Sequence, residues 1–424
     1  MNGSPAVNES SIDLPSLDEI REAVRARQSW GIEALRQIIA INSVSPNEVK
    51  CQRALADILQ AEGLPVELRE LDDGSLRNTD GFIDSGLAHD NRPNLITWIG
   101  GEGERGRSLI LNSHIDTVIW EETLAKWTVH PLSGDVSDGK LYGRGSMDAK
   151  GQVMTAVVAI LALKDLHYDP PGKVMVQSVV GEEPDGNGTL SLCAQGVVAD
   201  AAINLEATDN HIAYGHRGIV GLRYRLAGEV RHGSVRGDQA NVIVQVGALA
   251  AALDASLDDW RHPSDAVYGP PTINVGRVAG GDDIFSTPFG CTLECGIRYA
   301  PETYEAILSH VSQKLQSQIV REIPDLSTVE EAVFFHADAA GISPRHPFAQ
   351  AFHAAVNEIE GDRELVTFPA GCDVRHFINR YRLPAVIFGP GELALAHGEN
   401  EYLNLAQWER SSQILALFVT HWCS

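Results

Sequence analysis

Three apolar runs in this 424-residue chain end in groups that can hold a metal or move a proton. LILNSHIDTV (109–118) closes with His114 and Asp116, KVMVQSVVGEE (173–183) with Glu182 and Glu183, and VADAAINLEATD (198–209) carries Glu206. Asp148 lies in the glycine-rich YGRGSMDAKG stretch, and His397 follows GPGELALA near the C-terminus. Imidazole and carboxylate are the ligands of a catalytic divalent metal such as zinc, and a carboxylate left off the metal can serve as a general base. Residues i and i+2 of a strand point the same way, so Asp116 can stand behind the His114 ring and fix its tautomer. A buried His–Asp hydrogen bond with no metal would give the same pair. Glu182 and Glu183 repel each other, and burying both without a cation is costly; a strand end at the surface is the plain alternative. Asp148 alone reads equally well as a helix-start residue. Glu206 and His397 carry little signal singly. The set carries the weight, because each plain reading needs its own separate explanation.

For residues from His114 to His397 to meet, their strands must end along one crevice. In open α/β sheets ligands bind beyond the carboxyl ends of the strands. Helical periodicity runs from Leu17 to about Gln60, followed by the strand-like runs LPVELREL, NLITWIG and SLILNSHID. A helix is expected at 151–165, and the alternation of strands and helices implies α/β architecture with a largely parallel, buried sheet. Near Gly215 the pattern changes: GIVGLRYRLAGEV alternates like a half-exposed strand, and two further strand-like runs are interleaved with two helices. Two helices over one face of an antiparallel sheet would make a small α+β domain inserted in the first. The expected division is 1–215 and 333–424 for the larger domain and 216–332 for the insertion.

A hydrophobic content of 44% and a charged content of 21% describe an ordinary globular protein. The net charge of −24 argues against nucleic-acid partners and against docking on anionic membranes. MNGSPAVNESS has no basic or apolar stretch of a signal peptide, residues 1–16 are polar and expected to be mobile, and VMTAVVAILAL (153–163) is too short to span a bilayer. Among six cysteines only Cys291 and Cys295 lie close together, and no CxxC pair occurs. Reduced thiols in a cytoplasmic protein are the expectation. GxSxG, GxxxxGK[ST] and GxGxxG motifs are absent from their required settings, which disfavours serine-hydrolase and nucleotide-dependent chemistry.

Taken in order, HxD (His114, Asp116), GRGSMDAKG, GEEPDGNG and FGPG…AHGENEY resemble the zinc metallohydrolases that include acetylornithine deacetylase, succinyl-diaminopimelate desuccinylase, aminoacylase and glutamate carboxypeptidase. The resemblance covers roughly residues 30–420. It implies two divalent ions bridged by Asp148, with His114 and Glu206 completing the protein ligands of one, and Glu183 and His397 those of the other. Zinc is the implied metal; cobalt or manganese suit the same ligands. Asp116 would orient His114, and Glu182 would be the general base. RHGSVRGDQANVI resembles the family's histidine motif. It implies that His232 reaches a partner's active site across a homodimer built through residues 216–332, with Asn241 in the matching substrate-binding position. Taken alone, His232 reads as an exposed loop residue. AGCDVRHF places Arg375 where relatives bind a substrate carboxylate, as its planar fork suits; a surface salt bridge is the alternative. Cys372 departs from the threonine many relatives have. Closure of the two domains, hinged near Gly215–Gly218 and Asp338–Gly341, is also implied.

The implied function is a metal-dependent amidohydrolase that cleaves an N-acyl-L-amino acid, a small-molecule substrate. Glutamate at 206 resembles the deacylase and carboxypeptidase branches. A carboxypeptidase or dipeptidase with the same metals is the alternative within the enzymes. From another class, a catalytically silent dimeric binding protein on this fold is the alternative, against which the intact Glu182 speaks.

Overall fold

The computed structural model describes residues 14–101, 106–235, 241–319 and 329–424. The polar start of the chain, up to residue 13, and the segment 236–240 of the histidine motif lie outside these. In chain order the strands are β1 (Val66–Arg69), β2 (Asn94–Ile99), β3 (Leu109–His114), β4 (Val136–Ser137), β5 (Lys140–Tyr142), β6 (Val174–Val179), β7 (Ala201–Leu205) and β8 (Ile212–His216). Then come β9 (Gly218–Ala227), β10 (Thr272–Gly280), β11 (Gly290–Tyr299), β12 (Val329–Ala337), β13 (Ala340–Gly341), β14 (Leu365–Phe368), β15 (Ala385–Phe388) and β16 (Tyr402–Asn404). The helices are α1 (Leu17–Ile39), α2 (Val49–Ala61), α3 (Asp73–Leu76), α4 (Lys150–Asp165), α5 (Asn187–Ala194), α6 (Val242–Asp254), α7 (Asp265–Tyr268), α8 (Tyr304–Ile319), α9 (Pro347–Glu360) and α10 (Leu405–Trp422).

The central sheet runs β1-β2-β6-β3-β7-β15-β8-β13, with β14 paired to β8. Its heart, β6-β3-β7-β15, is parallel throughout, and antiparallel strands flank it. These central strands are buried from end to end, as a sheet covered on both faces requires. Alternate residues serve different cores. Leu109, Leu111, Val174, Val176, Ile203 and Phe388 join the core beneath α1, α4, α9 and α10. Ile110, Met175, Ala202 and Ile387 face the other layer with Leu192 of α5 and Phe377. Helix α4 is buried on all sides from Lys150 to Leu163, as its largely apolar sequence demands.

Strands β10-β11-β9-β12 form a separate antiparallel sheet. In β11 every second residue is buried, and Cys291, Leu293, Cys295 and Ile297 pack under Val246 and Leu249 of α6 and Ile307 and Val311 of α8. The fold is therefore mixed α/β with a largely parallel central sheet and a second, antiparallel unit. Strand β12 carries that small sheet on to Ala337, past the expected limit of 332. The two chain crossings between the sheets lie side by side: Ala340 and Gly341 pair with His216 and Gly215. All six cysteines are buried free thiols. Among the described residues no helix is long and apolar enough to cross a membrane.

Candidate metal centre

Register alone brings most of the acidic set together. His114 ends β3 opposite Val179, which ends β6, and Asn112 of β3 pairs with Asn204 of β7. Phe388 of β15 pairs with Leu205. The residues that follow these ends therefore share one edge of the sheet: Glu182 and Glu183 after a turn at Gly181 (φ 72°), Glu206 directly after β7, and the segment leading to His397 after β15. Asp148 arrives from the loop that opens α4.

His114 Nε2 lies 3.1 Å from Asp148 Oδ1 and 3.9 Å from Glu206 Oε1. Across the same carboxylate, His397 Nε2 lies 3.3 Å from Asp148 Oδ2 and 3.1 Å from Glu183 Oε2. Asp148 thus divides its two oxygens between two His–carboxylate groups. One ligand atom each from His114, Asp148 and Glu183 lies within 4.8 Å of the others. His114 and Asp116 are fully buried, whereas the His397 side chain is 56% exposed and opens the cluster to solvent.

Burial pushes the Glu182 carboxyl well above the usual range and Glu206 up to about 8, and it raises Glu183 as well; neighbouring carboxylates add to each. Hydrogen bonds to Asp148 and Glu183 lift His397 to about 10. Burial opposes the ionised Asp148, but its bonds to His114 and His397 prevail and hold its carboxyl low. Glu206 Oε1 is buried without a hydrogen-bond partner, a costly state for a carboxylate. The carboxylates of Asp116, Asp148, Glu182, Glu183 and Glu206 outnumber the two imidazoles that face them. Nitrogen and oxygen donors of this kind, with an excess of buried negative charge, fit a pair of divalent cations.

Asp116 does more than the spacing suggested. The near acceptor for His114 Nδ1 is the Asp116 backbone carbonyl at 3.0 Å, with the carboxylate Oδ1 at 3.6 Å. The carboxylate itself accepts from the backbone N–H groups of Glu182 and Glu183 at 3.2 and 3.1 Å. One residue thereby fixes both the His114 ring and the turn that presents the two glutamates. Glu182 forms no side-chain hydrogen bond or ion pair with a described residue, so its carboxylate is uncommitted.

The remaining candidates lie outside this cluster. Arg375 is 4% exposed and already donates to the carbonyls of Cys372 and Asp185 at 3.1 and 2.8 Å. It braces two loops from the position where the resemblance expects a substrate carboxylate to bind. His232 is exposed and pairs with Ser234 Oγ at 2.7 Å. Asn241 caps α6, accepting from the Ile243 N–H at 2.9 Å. Neither touches the ligand-type residues within this chain. Cys372 is buried, its thiol pushed well up by burial and by the nearby charges of Glu206 and Glu182.

Sequence reasoning missed Arg298 and Arg217. Arg298 forms no ion pair with a described residue, and burial together with the charge of Arg217 depresses its guanidinium. Its Nη1 stands 4.0 Å from the side-chain position of Gly371, beside Cys372 and Asp373. Arg217 Nε is buried without a partner. Its Nη1 donates to the Pro270 carbonyl at 3.1 Å, and two neighbouring cations without an ion-pair partner among the described residues ask for an anion. The arginine in CGIRYAP was the available signal, hidden because a strand arginine ordinarily faces water.

Comparison with known proteins agrees with this geometry. The family model described as peptidase family M20/M25/M40 matches residues 110–421. An N-formyl-4-amino-5-aminomethyl-2-methylpyrimidine deformylase of Halalkalibacterium halodurans is 28% identical, over 80% of this chain and 85% of its own. A probable succinyl-diaminopimelate desuccinylase of Staphylococcus aureus is 24% identical, over 88% of this chain and 92% of its own. Among solved structures, human carnosine dipeptidase 1 superposes with a TM-score of 0.72 at 16% identity, covering 96% of this chain and all (100%) of that one. The YXEP protein of Bacillus subtilis, titled a dinuclear metal-binding peptidase, gives 0.67 at 14% identity, covering 94% of this chain and 99% of that one. With the family model spanning most of the chain, the protein belongs to peptidase family M20/M25/M40, whose members are metallohydrolases acting on amide or peptide bonds.

Proposed function

We propose that this protein is a two-metal amidohydrolase that removes the acyl group from an N-acyl-L-amino acid. The observation that carries the reading is the Asp148 carboxylate, whose two oxygens face separate His–carboxylate groups. His114 and Glu206 would hold one cation, Glu183 and His397 the other, with Asp148 between; zinc suits these donors, and cobalt or manganese are acceptable. A divalent pair, when bound, lowers the pKa of a shared water to around 7 and polarises the scissile carbonyl. Glu182 takes the proton of the attacking water and returns it to the leaving amine nitrogen. Its uncommitted carboxylate and burial-raised proton affinity suit both halves of that task. Arg298, with Arg217 beside it, supplies the positive charge that a substrate carboxylate would meet. His232 of the partner subunit would hold the tetrahedral oxyanion in a homodimer formed through the antiparallel unit, whose exposed Phe285 and Phe289 lie near this loop. The deformylase and desuccinylase relatives favour a small or carboxylated acyl group over a peptide.

A carboxypeptidase or dipeptidase is the second reading. It is favoured by relatives such as the probable carboxypeptidase of Aspergillus terreus, 26% identical over 89% of this chain and 83% of its own. An amine-release assay over N-formyl, N-acetyl and N-succinyl amino acids and a set of dipeptides, with and without added zinc, separates the two. Faster turnover of the acyl amino acids is expected. Arg298→Ala should raise KM for substrates bearing an α-carboxylate about tenfold or more while sparing their amides. Preference for dipeptides overturns the deacylase reading, and indifference to Arg298→Ala overturns the assignment of that arginine.

A further inference from the structure

A second buried charge pair lies behind the candidate centre, and neither ligation nor proton transfer accounts for it. Arg144 and Glu401 are 2% and 0% exposed and meet at 2.8 Å. Glu401 Oε1 accepts from the backbone N–H groups of Met147 at 2.9 Å and Asp148 at 3.1 Å, and Oε2 accepts from Gly145 at 3.2 Å. Arg144 turns its other terminal nitrogen to the backbone carbonyl of His397 at 3.1 Å. Each partner therefore lies on one segment and holds the other. Arg144 belongs to the loop of Asp148 yet binds the backbone of His397; Glu401 belongs to the segment of His397 yet binds the backbone of Asp148.

His397 needs such a hold. Its φ of 62° puts it in the left-handed region, which a non-glycine residue adopts only when its surroundings fix it. Its side chain is also the most exposed of the ligand set, so packing around the ring contributes little. An apolar pair would fill the same space without the desolvation cost of two charges. What the charges add is direction: four donors converge on Glu401 and set where the Asp148 backbone lies.

We propose that Arg144 and Glu401 are positioning residues that lock Asp148 and His397 in mutual register, so that the half-site of Asp148, Glu183 and His397 is shaped before any cation arrives. This rests on the two-cation reading above and adds a division of labour to it. His114 and Glu206 sit at the ends of neighbouring buried strands and are held by the sheet itself. The ion pair therefore serves the second half-site through both Asp148 and His397, and the first only through the shared Asp148.

The test is zinc titration of the chelator-treated full chain by calorimetry, with bound zinc counted after gel filtration. Wild type, Glu401→Gln, Arg144→Lys, His397→Ala and the Glu401→Gln/His397→Ala double variant are compared. Wild type is expected to take two zinc ions. Glu401→Gln should weaken one of them about tenfold or more, in the range of other outer residues around metal sites, and the other by a smaller factor, since Asp148 is shared. Adding Glu401→Gln to His397→Ala should cost less than Glu401→Gln costs alone, because part of its effect passes through His397. Arg144→Lys keeps the charge but loses the fork that reaches His397, and it gives the same unequal loss should Glu401→Gln not fold. Equal weakening of both ions, no weakening, or additive losses in the double variant would overturn the positioning role. Failure of wild type itself to bind two ions would instead overturn the two-cation reading, and this proposal with it.

Discussion

Glu182 has a carboxylate with no partner among the described residues and a backbone N–H tied to Asp116. Truncation at this position should therefore strike turnover and spare metal retention. Glu182→Ala is expected to lower kcat by about 10²–10⁴, the usual yield of a positioned general base, with two equivalents of zinc still bound. Glu182→Asp should fall between, since it retracts the carboxylate by one methylene. Near-normal kcat in either variant, measured by amine release, would place the base elsewhere. At this scale the sequence was informative where strand-end position and residue type coincide, as at His114, Glu183 and Glu206. It said less where burial was the deciding fact. Arg375 is buried and donates to the Cys372 and Asp185 carbonyls. Arg298, in a strand that alternates in and out, gave no hint that it lacks a counter-charge among the described residues. The tie between Arg144 and Glu401 joins two motifs that were visible separately, and only the fold shows them in contact.

Among the elements, the parallel strands were the most legible, because an uninterrupted apolar run bounded by glycine and charge has few other uses. Their order was not, since β6 lies between β2 and β3 and β15 between β7 and β8; those neighbours are set by pairing between distant segments. Helix crossings were equally hidden. Gly31, in the middle of α1, reads as a weak point in a helix, but a Cβ there would meet Trp408 Cη2 of α10 at 2.7 Å and Val158 Cγ2 of α4 at 2.8 Å. Trp408 cannot readily yield, for its ring is buried and its Nε1 donates to the Gly151 carbonyl at 3.2 Å. Gly31→Ala gains about 1 kcal/mol of helix propensity and should lose about 1–3 kcal/mol to overpacking. A net loss, seen as a lower urea midpoint at unchanged m-value, is expected; a gain would mean that α10 moves freely. Strand β8 offers a pH probe at its last residue. Burial holds His216 neutral and lowers its pKa to about 4. The unfolded chain takes up this proton below about 6.5 and the folded chain does not until about 4, so stability falls as pH drops through that window. The contribution is of order 3 kcal/mol. In chelator-treated protein His216→Gln should flatten this part of the stability–pH curve, and an unchanged slope would show that His216 is protonated in the fold.

The molecule as a whole divides into a sheet that gathers the ligand set and an antiparallel unit that carries His232. The pattern changes near Gly215, where β8 gives way to β9, and β12 continues to Ala337 as an edge strand with mixed exposure. Nothing in one chain's sequence says whether its exposed loop serves itself or a neighbour. Among the described residues the His232 side chain bonds to Ser234, away from the cluster it is proposed to serve, and a second subunit is the proposed recipient. Symmetry makes this testable. In a twofold dimer each site would combine its own Glu182 with His232 of the partner subunit. Glu182→Ala and His232→Ala homodimers should then both be nearly inactive, each for a different reason. After subunit exchange at equal amounts, about half of the dimers are mixed, and each mixed dimer has one site with both groups intact. Recovery of about one quarter of wild-type activity follows from that count. Mixed dimers seen by native mass spectrometry without any recovery would show that His232 does not act across the interface. Full activity in His232→Ala alone would remove it from the reaction altogether.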